Sequence, residues 1–326
     1  MTPAELLQLI QQAAKDKRTH LDLSDQKLTQ LPPEIGTLTR LQELSITGNP
    51  LSEIPPEIGN LVNSKKIDFS FNELTTLPSE IGLINLTELH LTYNSLTRIP
   101  AEIGNLKNLT KLDISGNQLA ELPAEIGNLV NLKILDIRDN QLQELPTEIG
   151  KLRNLEKLYL SRNQLKELPA SIGNLTNLKI LDVGKNYLTS IPSELGNLVN
   201  LNKLFIWNNK LTSLPPTIAN LANLIVLDIP GNEFVKLPSE VGRLINLREL
   251  NLSNNKLKAL PLEIANLTNL THLSLAGNEL TAVPLEISKL TNLQVLILSE
   301  NQEKQLPVEI VKEGTQGILA YLQKRE

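Results

Sequence analysis

The sequence predicts an α/β solenoid: a right-handed curved stack of about thirteen coils of 23 residues. A parallel sheet lines its concave face, short helical turns its convex face, and a helical cap closes each end. Three observations predict this. An asparagine recurs every 23 residues, from Asn117 through Asn140, Asn163, Asn186, Asn209, Asn232, Asn255 and Asn278 to Asn301, and a fixed period of roughly 20–50 residues marks a stacked array. Each copy resembles the stretch Leu109 to Asn131, LTKLDISGNQLAELPAEIGNLVN, in which leucines alternate with polar residues before the asparagine. Hydrophobic residues make up 40% of the chain but aromatics only 3%, because leucine fills the core.

Within a coil, Leu112 and Ile114 alternate with Lys111, Asp113 and Ser115, the period-2 pattern of a short strand with its apolar residues inward. Leu119 and Leu122 turn inward again. Pro123 opens a helical turn, where its missing N–H costs nothing. Glu125 suits the positive end of that turn, as do Glu34, Glu57, Glu80, Glu102 and Glu148 in other coils. Ile126 and Leu129 face the core, and Gly127 is expected at φ > 0 to end the turn. Asn117 falls where the chain leaves the strand, and its amide supplies donors and an acceptor for backbone groups that the bend would otherwise strand. Repeated once per coil, this side chain forms a ladder. A second row, at Asn108, Asn131, Asn154, Asn177 and Asn200, is expected to do similar turn work.

In chain order, residues 1–17 form an N-terminal cap. Thr2-Pro3-Ala4-Glu5 is a capping box with proline at the first helical position, and Leu6, Leu7, Leu9 and Ile10 give the helix an apolar face. The solenoid spans 18–306. Its first coil puts Leu21 and Leu23 inward and Gln26 in the ladder place. Ser64 stands where an inward leucine is expected, which weakens that junction. The step from Asn72 to Asn94 is 22, since Gly82 runs directly into Leu83. Ala219, Ala265 and Ser288 replace the turn glycine, so fuller helices are expected there. Glu303 replaces the last inward leucine. Residues 307–326 form a C-terminal cap or the start of a following segment, with a helix capped at Thr315.

A net charge of −5 and a pI near 5.5 argue against nucleic-acid and anionic-membrane binding. No window has the roughly 18 apolar residues of a membrane span, and residues 1–18 lack the apolar stretch of a secretory signal. With no cysteine, disulfide caps and thiol catalysis are excluded, and a cytoplasmic location is expected. No phosphate-binding glycine loop is present; the nearest pair is Gly184-Lys185. His20, His90 and His272 lie in distant coils, too far apart to share a metal, and each reads as a solvated surface residue. Asp22, Asp68, Asp113, Asp136, Asp182 and Asp228 form an outward row that reads as a solvated stripe. The chain is therefore expected to be no enzyme and to need no cofactor or metal.

One region differs. Outward positions place Tyr159, Phe205 and Trp207 on the concave face with Tyr187 at its margin. Ile180, Asp182 and Val226 lie beside them, and Arg138, Lys157, Arg162, Lys185, Lys203 and Lys210 around them. Four of the nine aromatic residues fall in three coils. Exposed aromatics rimmed by charge mark binding hot spots, so Tyr159, Phe205, Trp207, Tyr187, Ile180, Asp182, Arg138, Arg162, Lys185 and Lys203 are the candidate partner-binding residues. The partner expected is a protein segment with apolar anchors and acidic groups. The chain by itself is expected to be a monomer.

The pattern LxxLxLxxNxL is that of a leucine-rich repeat. The fuller pattern LPxEIGNLxNLxxLxLxxNxL resembles the intracellular repeats of bacterial Roco proteins and of the plant Ras-group-related family. The opening ELLQLIQQAAKDKRTHLDLS and the closing LPVEIVKEGTQGILAYLQKRE look like the segments flanking Roco repeats. That resemblance implies a second reading beside the scaffold: the sensor arm of a Roco-type GTPase, whose GTPase and dimerisation domains would follow. Neither domain is in this chain, so no nucleotide site is carried over.

Overall fold

Alternating inward and outward side chains keep the chain extended for only three residues per coil. In the computed structural model, which describes residues 1–301 and 306–325, the chain forms two compact units, Met1–Gln164 and Leu165–Glu326. The first contains helix α1 (Pro3–Lys15) and strands β1 (His20–Asp22), β2 (Glu43–Ser45), β3 (Lys66–Asp68), β4 (Glu88–His90), β5 (Lys111–Asp113), β6 (Ile134–Asp136) and β7 (Lys157–Tyr159). All pair in parallel, each with the next. The second contains β8 (Ile180–Asp182), β9 (Lys203–Phe205), β10 (Val226–Asp228), β11 (Glu249–Asn251), β12 (His272–Ser274) and β13 (Val295–Ile297), paired the same way. Helices α2 (Val308–Lys312) and α3 (Gly314–Gln323) follow. Each unit is a leucine-rich repeat solenoid, with its sheet on one face and five-residue 3₁₀ turns such as Ala124–Asn128 on the other.

Stacking buries the leucines. Leu112, Ile114, Leu119, Ile126 and Leu129 are all 0% exposed, and each such burial stabilises by roughly 1.5–3 kcal/mol because a neighbouring coil supplies the cover. The ladder asparagines hold the bend. Asn163 Nδ2 donates to the carbonyls of Ile137 (2.9 Å) and Leu160 (3.0 Å), and its Oδ1 accepts from Leu142 N at 3.0 Å. One amide thus serves its own coil and the one before. The second asparagine row lies at the surface and reaches back one coil: Asn131 donates to Lys107 O at 2.8 Å and Asn200 to Thr176 O at 2.8 Å.

The left-handed backbone is not at Gly127. It falls on the residue before each ladder position, at Asp25, Gly48, Phe71, Tyr93, Gly116, Asp139, Arg162, Lys185, Asn208, Gly231, Asn254, Gly277 and Glu300, with φ between 49° and 69°. The strand-to-ladder bend needs the reversal, whereas the 3₁₀ turn leaves its end without it. Gly127 is needed for a different reason: a Cβ there would lie 2.5 Å from the Glu148 carbonyl oxygen of the next coil. Where Ala219 and Ala265 replace this glycine they are half-buried, and the turns remain five-residue 3₁₀ segments rather than fuller helices. At Ser288, which is buried, the turn is likewise a five-residue 3₁₀ segment.

Ser64 points inward and is fully buried, and its hydroxyl donates to Leu41 O at 3.0 Å. The one-residue deletion is absorbed at the exit of the turn Ser79–Leu83. Ile84 there is extended (φ −85°, ψ 149°), where Leu129 has ψ 59°, and Leu83 is thrown out to 65% exposure. At the start, Thr2 and Glu5 complete the reciprocal capping box, and α1 buries Leu6, Ile10 and Ala13. At the end, Thr315 does not cap α3, which starts at Gly314. Its Oγ1 accepts from Leu296 N at 3.0 Å, while Gln316 Nε2 donates to Leu293 O, so α3 satisfies groups at the outer edge of β13. Glu303 lies outside the described residues.

Candidate protein-binding face

The outward strand positions carry more structure than a solvated stripe. Asp113 Oδ1 accepts from Ser115 N (3.1 Å) and from the Ser115 hydroxyl (2.7 Å), which turns Ser115 inward to near-complete burial. Asp22, Asp68, Asp136 and Asp182 make the same backbone bond two residues on. The aspartate row is thus a column of side chain-to-backbone turns. Asp136 is only 5% exposed. Burial pushes its carboxyl above the usual range, the negative Asp113 adds to this, and bonds from Arg138 oppose it. Asp22, near solvent, is held below the usual range by the hydroxyl and backbone N–H of Ser24. Asp228 cannot make this turn, because Pro230 has no N–H. Its carboxylate accepts from Asn251 Nδ2 at 2.8 Å instead, and burial raises its pKa, with Asp182 and Glu249 adding to the rise. His90 is not a solvated residue: its side chain is 13% exposed and Nε2 is 3.2 Å from Glu88 Oε2.

The ten candidates divide between the units. Arg138, Tyr159 and Arg162 belong to the first. The Arg138 guanidinium lies 5.0 Å from the centroid of the Tyr159 ring while its Nε bonds Asp136 Oδ1 at 2.9 Å. Arg162 approaches Asp139 at 3.7 Å. The second unit holds Ile180, Asp182, Lys185, Tyr187, Lys203, Phe205 and Trp207. Strand register puts Ile180 beside Lys203 and Asp182 beside Phe205, then Lys203 beside Val226 and Phe205 beside Asp228. Phe205 and Trp207 are half-buried. The indole of Trp207 lies against Gly184, where a Cβ would sit 2.1 Å from its Cε2. Tyr187, 50% exposed, stands at the margin with Lys210 Nζ 5.3 Å from its ring centroid.

Two features escape the sequence reading. The face of the second unit holds a depression of about 360 Å³ that runs from Phe205 and Val226 to Val295 and Ile297. Val295 and Ile297 occupy the same coil positions as Val226 and Asp228, so register alone could have found them. In the first unit, Phe71 and Tyr93 stack with centroids 5.2 Å apart and are 55% and 56% exposed. Both hold the left-handed position that Arg162 and Lys185 take in later coils. Among the described residues no group of three or more His, Cys, Asp or Glu could hold a metal, and no helix is long and apolar enough to cross a membrane.

Comparison with known proteins agrees with this geometry. The profile described as a leucine-rich repeat region matches residues 124–210 and 192–277, and a two-copy leucine-rich repeat profile matches 84–125 and 268–309. A leucine-rich repeat protein of Leptospira interrogans is 34% identical over 93% of this chain and 96% of its own, with a TM-score of 0.62. An internalin from Listeria monocytogenes is 27% identical over 92% of this chain and 88% of its own, with a TM-score of 0.80. The plant peptide hormone receptor RGFR1, solved in complex with RGF2, is 31% identical over 83% of this chain and 57% of its own, with a TM-score of 0.56. Among curated proteins none matches significantly. The chain belongs to the leucine-rich repeat proteins, whose repeat domains are in general binding modules rather than catalysts.

Proposed function

We propose that this chain is a protein-interaction module whose partner sits on the strand face of Leu165–Glu326. The observation that carries this reading is the pair Phe205 and Trp207: two half-exposed aromatic rings on strand β9 and its exit, beside the exposed ammonium groups of Lys203 and Lys185. Interfaces concentrate their energy in such rings, and charged rims mainly set association rate and salt sensitivity. Ile180 and Tyr187 extend the apolar surface, and acidic groups on the partner complement the two lysines. Arg138, Tyr159 and Arg162 form a separate group in the first unit, where Arg138 already serves Asp136.

The test is comparative capture. The full chain and its Phe205→Ala and Trp207→Ala variants are immobilised, and a captured protein is identified and its affinity measured by titration calorimetry. Each alanine variant is expected to weaken binding by about 2 kcal/mol or more with little change in melting temperature. Normal binding by both variants, together with loss on changing the exposed convex residues Val199 or Leu262, overturns the reading.

A further inference from the structure

The depression on the second unit has a chemical order that names a partner more narrowly; the inference rests on the strand-face reading above and deepens it. Its two ends are apolar. At one, Val226 is 8% exposed and Phe205 half-buried; at the other, Ile297 is 43% exposed beside Val295. Between them lie Glu249, Asn251, His272 and Ser274. Strand register sets the spacing. In one row Val226 pairs with Glu249, Glu249 with His272 and His272 with Val295. The two valines are therefore three strand steps apart, about 14 Å at ~4.8 Å per step.

An extended chain laid across the strands advances ~3.4 Å per residue, so four of its residues cover that span. Its side chains alternate in direction, which brings residues one, three and five down onto the same face. Residues one and five meet the apolar ends. Residue three falls between Glu249 and His272. Glu249 is exposed, and Asp228 lies one strand away in the neighbouring row. Asn251 offers that residue little, since its Nδ2 donates to Asp228 and its Oδ1 accepts from Ser253 N. The Asp228 carboxyl is raised by burial, and by the negative charges of Asp182 and Glu249, so a cation placed there relieves crowded negative charge.

We infer that this face reads an extended protein segment of the pattern apolar–x–basic–x–apolar, with the apolar residues seated at Phe205/Val226 and Val295/Ile297 and the basic residue between Glu249 and His272, where Glu249 supplies the near carboxylate and Asp228 the further one. Acidic residues of the same segment belong on the side of Lys203 and Lys185, outside the first anchor. The lysines and the carboxylates thus give the segment one direction across the strands.

The experiment is selection of a displayed library of random twelve-residue peptides on the full chain, followed by fluorescence anisotropy of the enriched sequences against the wild type, Glu249→Lys, Ile297→Asp and Phe205→Ala. Enriched peptides are expected to share apolar residues four apart with Lys or Arg midway. They should bind at least tenfold more weakly when the central basic residue becomes Glu, when the spacing becomes three, or when the chain carries Glu249→Lys. The central-Glu peptide should regain affinity for Glu249→Lys, a charge swap that damage to the fold cannot produce. Peptides that lack the pattern and ignore Glu249→Lys and Ile297→Asp, yet lose affinity with Phe205→Ala, overturn this inference and leave the strand-face reading standing. Peptides indifferent to all three variants overturn both, and failure to enrich any sequence overturns the inference.

Discussion

The indole of Trp207 lies over the backbone of Gly184, the residue at the same place one coil earlier, so closely that a Cβ on Gly184 would sit 2.1 Å from the ring. The glycine is buried, and the ring that rests against it is itself half-buried on the strand face. Gly184→Ala is expected to push the indole into solvent. Trp207 is the chain's one tryptophan, so its emission should shift to the red and its quenching by iodide rise, and partner affinity should fall about tenfold, ~1.4 kcal/mol. An unchanged spectrum would mean that the ring does not rest on Gly184.

The convex glycines make a separate prediction. Gly127 has no positive φ, and the approach of the Glu148 carbonyl and Cβ is what forbids a side chain. Gly127→Ala should therefore cost about 1–3 kcal/mol, as overpacking does. Ala219→Gly, at a half-buried site, should cost no more than about 1 kcal/mol. Chemical denaturation checks both, and equal losses would count against the close-approach explanation.

The ladder can be tested at Asn163. Replacing it by Leu leaves the buried Leu142 N–H without its acceptor and takes one donor each from the carbonyls of Ile137, which keeps Asn140 Nδ2, and Leu160, at a cost of roughly 1–3 kcal/mol for the orphaned N–H. Gln164→Leu, beside it and exposed, should change stability by less than about 0.5 kcal/mol. Thermal melts that fall equally for both would remove the ladder's energetic role.

Two aspartates should respond to pH with opposite sign. Asp136 has a raised pKa, so its contribution is fully present below the unfolded-state pKa and is lost as pH rises through the folded value. Asp22 has a lowered pKa, so its contribution is present above the unfolded-state pKa and is lost as pH falls through the folded value. Relative to the wild type, Asp136→Asn should gain stability between pH 3 and pH 7, and Asp22→Asn should lose it. Melting curves across that range decide the matter; both differences moving the same way would contradict it.

The sequence alone determined the repeat, the strand positions, the inward leucines and the ladder asparagines. These follow from a local rule applied thirteen times: side-chain alternation sets what faces the core, and one amide per bend answers the backbone groups left there. It also placed Phe205 and Trp207 outward, because register copies each position onto the next strand. Only the tertiary structure decided where the left-handed residue falls, since the convex turn and the ladder bend both offer glycines and the choice depends on which one reverses the chain. It decided that Gly127 answers to Glu148 and Gly184 to Trp207, contacts 21 and 23 residues away in sequence. It decided as well that Asp136 is buried and Asp22 is not, although both occupy the same place in the repeat. What separates them is the cover supplied by neighbouring side chains, and that cover exists only once the coils are stacked.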